Sequence, residues 1–196
     1  MTCIEKGIEH ELVPVAYGSE EHGRIHPFRR MPILEVDGRM MPETLAITGH
    51  LDEAFPGPNL QPEGHAARAR MRIWMAVCSD YLFSDVVRTI PRDRPPTDEE
   101  LATAATALGR AEELMDGDAF LVGEELTLAD LYLAPQIANC GEKAPRLLDG
   151  LDAISAWARL VGERESFRLT RPEAAGRPSG GPSAQGGSLD SAVQGA

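Results

Sequence analysis

Cysteine is scarce in this chain of 196 residues, with Cys3, Cys78 and Cys140 alone. Their odd number and wide spacing exclude a disulfide framework and suit a reducing, cytoplasmic setting. Aromatic residues make up 5%, too few for a base-stacking nucleic-acid module. Positive charge is also in short supply, 19 basic against 31 acidic residues for a net charge of −12. Such a field repels phosphate backbones and anionic membranes. No run approaches the roughly 20 apolar residues of a membrane span. The start, with Glu5, Lys6, Glu9 and Glu11, holds no apolar signal-peptide core. What remains is an ordinary globular composition, 42% hydrophobic and 26% charged, sufficient for one domain or two small ones.

The order of elements predicts two units and a tail. Residues 1–55 read as mixed α and β. A short helix over Thr2–Lys6 stops at Gly7, and a strand follows over Glu11–Val15, with Pro14 confining it to a sheet edge. An irregular charged loop, Ala16–Arg30, leads to Ile33–Val36, Asp37-Gly38 and Arg39–Met41, a hairpin signature. A helix from Glu43 to about Ala54 is closed by Phe55-Pro56-Gly57-Pro58, and residues 56–64 form a linker.

Residues 65–171 read as all helix. Met71, Trp74, Met75, Cys78 and Leu82 share one face of a long helix ending before Pro91. Thr97-Asp98-Glu99-Glu100 opens the next with a capping box, turning Leu101, Ala105, Leu108 and Met115 inward. Thr127-Leu128-Ala129-Asp130 opens a third, apolar nearly all round through Ile137 and therefore the expected centre of the bundle. A last helix, about Ala153–Glu163, presents Ile154, Trp157 and Leu160. Residues 172–196, with six Gly, three Pro and four Ser, bury too little surface to order and read as a disordered tail.

Three further features have plain readings. His22 and His26 lie in a Gly-interrupted loop without a nearby Cys or paired carboxylate, so they read as solvated polar residues and no metal is expected. Arg68, Arg70 and Arg72 are expected to pair with acids on a solvated face or across a dimer contact. The Trp74 and Met75 stripe is either core or the border of an apolar co-substrate pocket.

Several stretches, in order, resemble the glutathione transferase family. Ile4-Glu5-Lys6-Gly7-Ile8 resembles its passage from first helix to second strand, and His26-Pro27-Phe28-Arg29-Arg30-Met31-Pro32 its Asn-Pro-x-Gly-Lys-Val-Pro loop. Pro42-Glu43-Thr44 resembles its Glu-Ser pair. Phe120-Leu121-Val122-Gly123 through Asp130 resembles its helical-domain signature, and Trp157, Arg164, Ser166, Phe167 and Pro172 its closing pattern. The resemblance implies a thioredoxin-like N-terminal domain (α/β) followed by an all-α helical domain.

It also implies a site. With a cis Met31-Pro32 bond, the backbone of Met31 would pair with the cysteinyl segment of glutathione. Glu43 would face the γ-glutamyl ammonium, the hydroxyl and amide of Thr44 the γ-glutamyl carboxylate, and Arg30 the glycyl carboxylate. Trp74 and Met75 would border the electrophile. The implied function is glutathione binding and conjugation of its thiolate to apolar electrophiles, a detoxification chemistry in a cytoplasmic homodimer, with glutathione as co-substrate and no metal. The alternative is a noncatalytic ligand-binding or protein-interaction module of the same fold. The alternative draws on a departure: the chain starts inside the family's first helix, so the thioredoxin-like domain lacks its first strand and the Tyr, Ser or Cys that contacts the glutathione sulfur. No residue is nominated as catalytic, and an N-terminally truncated or degenerate copy is expected. Arg29 in place of the loop glycine, and His26 in place of Asn, are further departures.

Overall fold

The computed structural model describes residues 1–91 and 93–171; the expected tail, 172–196, lies outside the described residues. The N-terminal unit comprises α1 (Thr2–Glu5), α2 (Glu20–Ile25), β1 (Ile33–Val36), β2 (Arg39–Pro42) and α3 (Thr44–Ala54). The hairpin forms as expected, with Ile33 opposite Pro42 and Val36 opposite Arg39. Its two-residue turn needs positive φ at both positions, and Asp37 and Gly38 supply +50° and +72°.

Two expectations for this unit fail. Glu11–Val15 is not a strand: it is irregular, with Leu12 and Val13 74% and 71% exposed. A strand is stable only beside a neighbour that takes its N–H and C=O groups, and among the described residues β1 and β2 pair with each other alone. Second, the loop Ala16–Arg30 contains α2. Ser19 caps it, its Oγ accepting from the His22 N–H at 3.0 Å, and Glu20 and Glu21 occupy the first turn where the helix dipole favours acids.

The helical unit comprises α4 (His65–Val77), α5 (Asp98–Glu113), α6 (Leu128–Lys143), α7 (Asp152–Gly162) and α8 (Glu165–Thr170). α4 continues through Cys78–Arg88 with wider, π-type turns. Met71, Trp74, Met75, Cys78 and Leu82 are all buried, and α6 is the buried centre. The inward face of α5 is shifted from the one expected: Ala104, Ala107, Leu108 and Ala111 are buried, whereas Ala105 faces water. On α7, Val161 rather than Leu160 turns inward with Ile154 and Trp157. Beyond the last expected helix the chain forms the short α8.

Both capping boxes form. The Thr97 N–H donates to Glu100 at 2.7 Å while Thr97 Oγ1 accepts from the Glu100 N–H. Asp130, fully buried, accepts from the N–H and hydroxyl of Thr127, from the Leu121 N–H at 2.9 Å and from the Trp157 indole N–H at 2.8 Å. Burial pushes its carboxyl up, and these hydrogen bonds oppose the shift. Glu112 of α5 accepts from the N–H groups of Ala153 and Ile154, satisfying orphan donors at the start of α7.

The two units are bonded along their boundary. Lys6 donates to Asp52 of α3 at 3.0 Å and to the Pro58 carbonyl at 2.9 Å. The same Asp52 oxygen accepts from the Leu60 N–H, and the Leu60 carbonyl accepts from the Leu128 N–H at the start of α6. Gly57, at φ +126°, lies so close to Lys6 that a Cβ would stand 2.4 Å from its carbonyl oxygen. Glu5 of α1 accepts from the Arg164 Nε–H at 2.8 Å and from the Ser166 hydroxyl of α8.

Candidate functional site

The antiparallel register decides where the expected site residues lie. Because Ile33 pairs with Pro42, the residues just before β1 and just after β2 meet at the open end of the hairpin. Met31-Pro32 and Glu43-Thr44 are therefore neighbours, although the loop and α3 are separate in sequence. The Met31-Pro32 bond is cis. Met31 is 46% exposed and the Glu43 side chain 64% exposed. Arg30 is exposed and Thr44, the first residue of α3, is half-buried.

The loop that carries Arg30 and Met31 is held from beneath by two histidines. His22 and His26 are fully buried, which overturns their reading as solvated residues. The Gly18 N–H donates to His22 Nδ1 at 3.1 Å, and His22 Nε2 donates to the Arg30 carbonyl at 3.1 Å. The Phe28 N–H donates to His26 Nδ1 at 3.2 Å. The opposite nitrogen of His26 faces Glu43, with 3.8 Å from Nε2 to Oε1. Arg29 adopts φ +50°, the left-handed conformation that glycine would take there, and donates to the Gly18 carbonyl at 3.0 Å. An i, i+4 histidine pair ahead of a proline was the available signal for this support, but it points equally to a polar surface.

Chemically, the open end of the hairpin offers complementary groups. Glu43 has φ +74° and its side chain does not cap α3, so the first-turn amides keep their partial positive charge for an anion. The Glu43 carboxylate faces outward for a cation, and Arg30 adds a second anion-binding group. This pattern suits the ends of an amino acid or short peptide. The thiols are poorly placed for chemistry: burial pushes Cys78 up to about 12 and Cys140 up to about 11, and raises Cys3. Among the described residues no group of three or more His, Cys, Asp or Glu is arranged to hold a metal ion. Trp74 and Met75 are buried in the helical core, 0% and 4% exposed.

The model of the glutathione S-transferase N-terminal domain matches residues 1–59, and that of the glutathione S-transferase C-terminal domain matches residues 74–165. The chain belongs to the glutathione S-transferase family. Its N-terminal unit is thioredoxin-like with a small sheet, and its C-terminal unit is the helical domain of that family. A maleylacetoacetate isomerase of Rattus norvegicus is 28% identical over 85% of this chain and 82% of its own. A stringent starvation protein A homolog of Pasteurella multocida is 30% identical, covering 85% and 80%. Among solved structures, a delta-class glutathione transferase of Nilaparvata lugens superposes with a TM-score of 0.77 at 20% identity, over 89% of this chain and 87% of that one. A glutathione S-transferase of Methylobacillus flagellatus, solved with glutathione bound, gives 0.73 at 22% identity, over 87% and 91%. No helix among the described residues is long and apolar enough to cross a membrane.

Proposed function

We propose that this glutathione S-transferase binds glutathione at the open end of the hairpin and presents its thiol to an apolar electrophile. The juxtaposition of Met31-Pro32 with Glu43-Thr44, imposed by the Ile33–Pro42 pairing, carries the reading. In it the α3 amides and the Thr44 hydroxyl hold the γ-glutamyl carboxylate, Glu43 holds the ammonium, the Met31 backbone pairs with the cysteinyl segment and Arg30 meets the glycyl carboxylate. The protein acts in the cytoplasm as a homodimer. Relatives named maleylacetoacetate isomerase make maleylacetoacetate, a polar acid whose isomerisation differs from conjugation, a separate substrate to try beside apolar electrophiles.

The alternative is a noncatalytic ligand-binding or interaction module of the same fold. The thiols of this chain lend it support, since burial raises Cys3 and pushes Cys78 and Cys140 up to about 12 and about 11, far from a reactive thiolate.

Calorimetric titration with glutathione tests the reading, followed by turnover of maleylacetoacetate and of a generic aromatic electrophile. Binding at millimolar ligand with formation of a glutathione conjugate from the aromatic electrophile supports the transferase, and turnover of maleylacetoacetate alone supports an isomerase instead. Binding without turnover establishes the module, and no binding by the folded chain refutes both forms of the glutathione site.

A further inference from the structure

His26 is 1% exposed, yet one of its ring nitrogens has no hydrogen-bond partner. The Phe28 N–H donates to Nδ1, so Nδ1 carries the lone pair and the ring proton sits on Nε2. That N–H is out of reach of water and points toward Oε1 of Glu43 at 3.8 Å, beyond hydrogen-bond distance. His22 provides the contrast. It is equally buried and has the same tautomer, but both of its nitrogens are used, on Gly18 and Arg30. Burial of a histidine beneath this loop therefore does not by itself leave a donor idle. A buried donor without an acceptor is unfavourable, and the group it faces is the carboxylate at the start of α3, which is 64% exposed and free to turn. The other rings around His26 are those of His22 and Phe28, with centroids at 6.5 and 6.3 Å.

We propose that His26 is a positioning residue for Glu43. When a ligand ammonium draws the Glu43 carboxylate inward, one carboxylate oxygen takes the ammonium and the other accepts the His26 Nε2–H. The histidine thereby fixes the direction in which the negative charge points. This inference rests on the glutathione reading above, and it adds the residue by which the site discriminates ligands that carry the α-ammonium from those that lack it.

The test compares glutathione with glutaryl-cysteinylglycine, the same ligand without its α-ammonium, on the full chain. His26→Asn keeps a carbonyl where Nδ1 accepts the Phe28 N–H but removes the Nε2 donor. His26→Gln places an amide donor near Nε2. His26→Asn is expected to weaken glutathione roughly fivefold, the scale of one hydrogen bond to a charged group that is half in water. It should leave the des-amino ligand unchanged and add nothing in a Glu43→Gln background, while His26→Gln restores most of the affinity. Losses that multiply in the double variant, or that fall equally on both ligands, would show a purely structural role and overturn the proposal. An independent readout needs no variant: the Nε2–H proton resonance of His26 should move downfield with glutathione and stay in place with the des-amino ligand, and an unmoved resonance also overturns it. Wild-type chain that fails to bind glutathione refutes the parent reading first, and the wild-type titration alone distinguishes that result.

Discussion

Lys6 and Asp52 form an ion pair at 3.0 Å in which each side chain is 2% exposed. Removing one partner strands the other. Lys6→Met leaves a buried carboxylate with only the Leu60 N–H and the Gln61 amide as partners, and is expected to cost about 3–5 kcal/mol, the range for a broken buried pair. Urea unfolding of the variant against wild type checks this. The double replacement Lys6→Met with Asp52→Leu is expected to recover only part of the loss, because it orphans the buried Leu60 N–H.

Asp130 gathers four donors from three segments. Asp130→Ala leaves the Leu121 N–H, the Thr127 N–H and the Trp157 indole unpaired inside the helical unit. We expect a loss of about 3–5 kcal/mol, since each buried unpaired donor costs about 1–3 kcal/mol and the set acts together. Trp157 fluorescence during denaturant unfolding reads it out directly.

Glu5 sets an acid limit on stability. The Arg164 guanidinium, then the Ser166 hydroxyl, hold its carboxyl below the ordinary value of 4.5 against the opposing effect of burial. A carboxyl depressed in the folded state stabilises above its unfolded pKa, and that contribution disappears as pH falls through the folded one. With Arg164 36% exposed, the contribution is discounted to about 1–2 kcal/mol. Glu5→Gln should therefore be less stable than wild type at pH 7, with the gap closing below roughly pH 4. A gap independent of pH would show that the pair is not the cause. Asp130 works in the opposite sense: its raised carboxyl favours the fold most at low pH and loses that contribution as pH rises.

Thr44 supplies the hydroxyl at the start of α3. On the glutathione reading, Thr44→Val is expected to weaken glutathione roughly tenfold, the equivalent of 1.4 kcal/mol for a hydrogen bond to a charged carboxylate. Calorimetry checks it, and an unchanged melting temperature shows that the fold is intact.

Features encoded locally were legible in the sequence. The Asp37-Gly38 turn, both capping boxes and the apolar face from Met71 to Leu82 depend on residues a few positions apart, and all of them form. Features that depend on distant partners were not. Glu11–Val15 has the composition of a strand but no neighbour to pair with, so it remains irregular. On α5, alanines at successive positions carry too little hydrophobic contrast to set the phase, and Ala104 rather than Ala105 turns inward. At the site, the motif resemblance proposes Arg30, Met31, Pro32, Glu43 and Thr44, and the hairpin register explains why two stretches of it adjoin. His26 reads in the sequence as a solvated residue because its burial and its idle Nε2 arise from packing between the loop and α3, which no local pattern records.

The bonded boundary between the two units bears on how this protein can be recombined. Residues 57–60 touch both sides: Gly57 lies against the Lys6 carbonyl, Pro58 takes the Lys6 ammonium, and Leu60 joins Asp52 to the first turn of α6. A chimaera that grafts this N-terminal unit onto another helical domain must bring along the partners of Lys6, Gly57 and Leu60 on both sides of the junction. Without them, a splice placed in the stretch that looks most like a neutral spacer would cut through the joint itself.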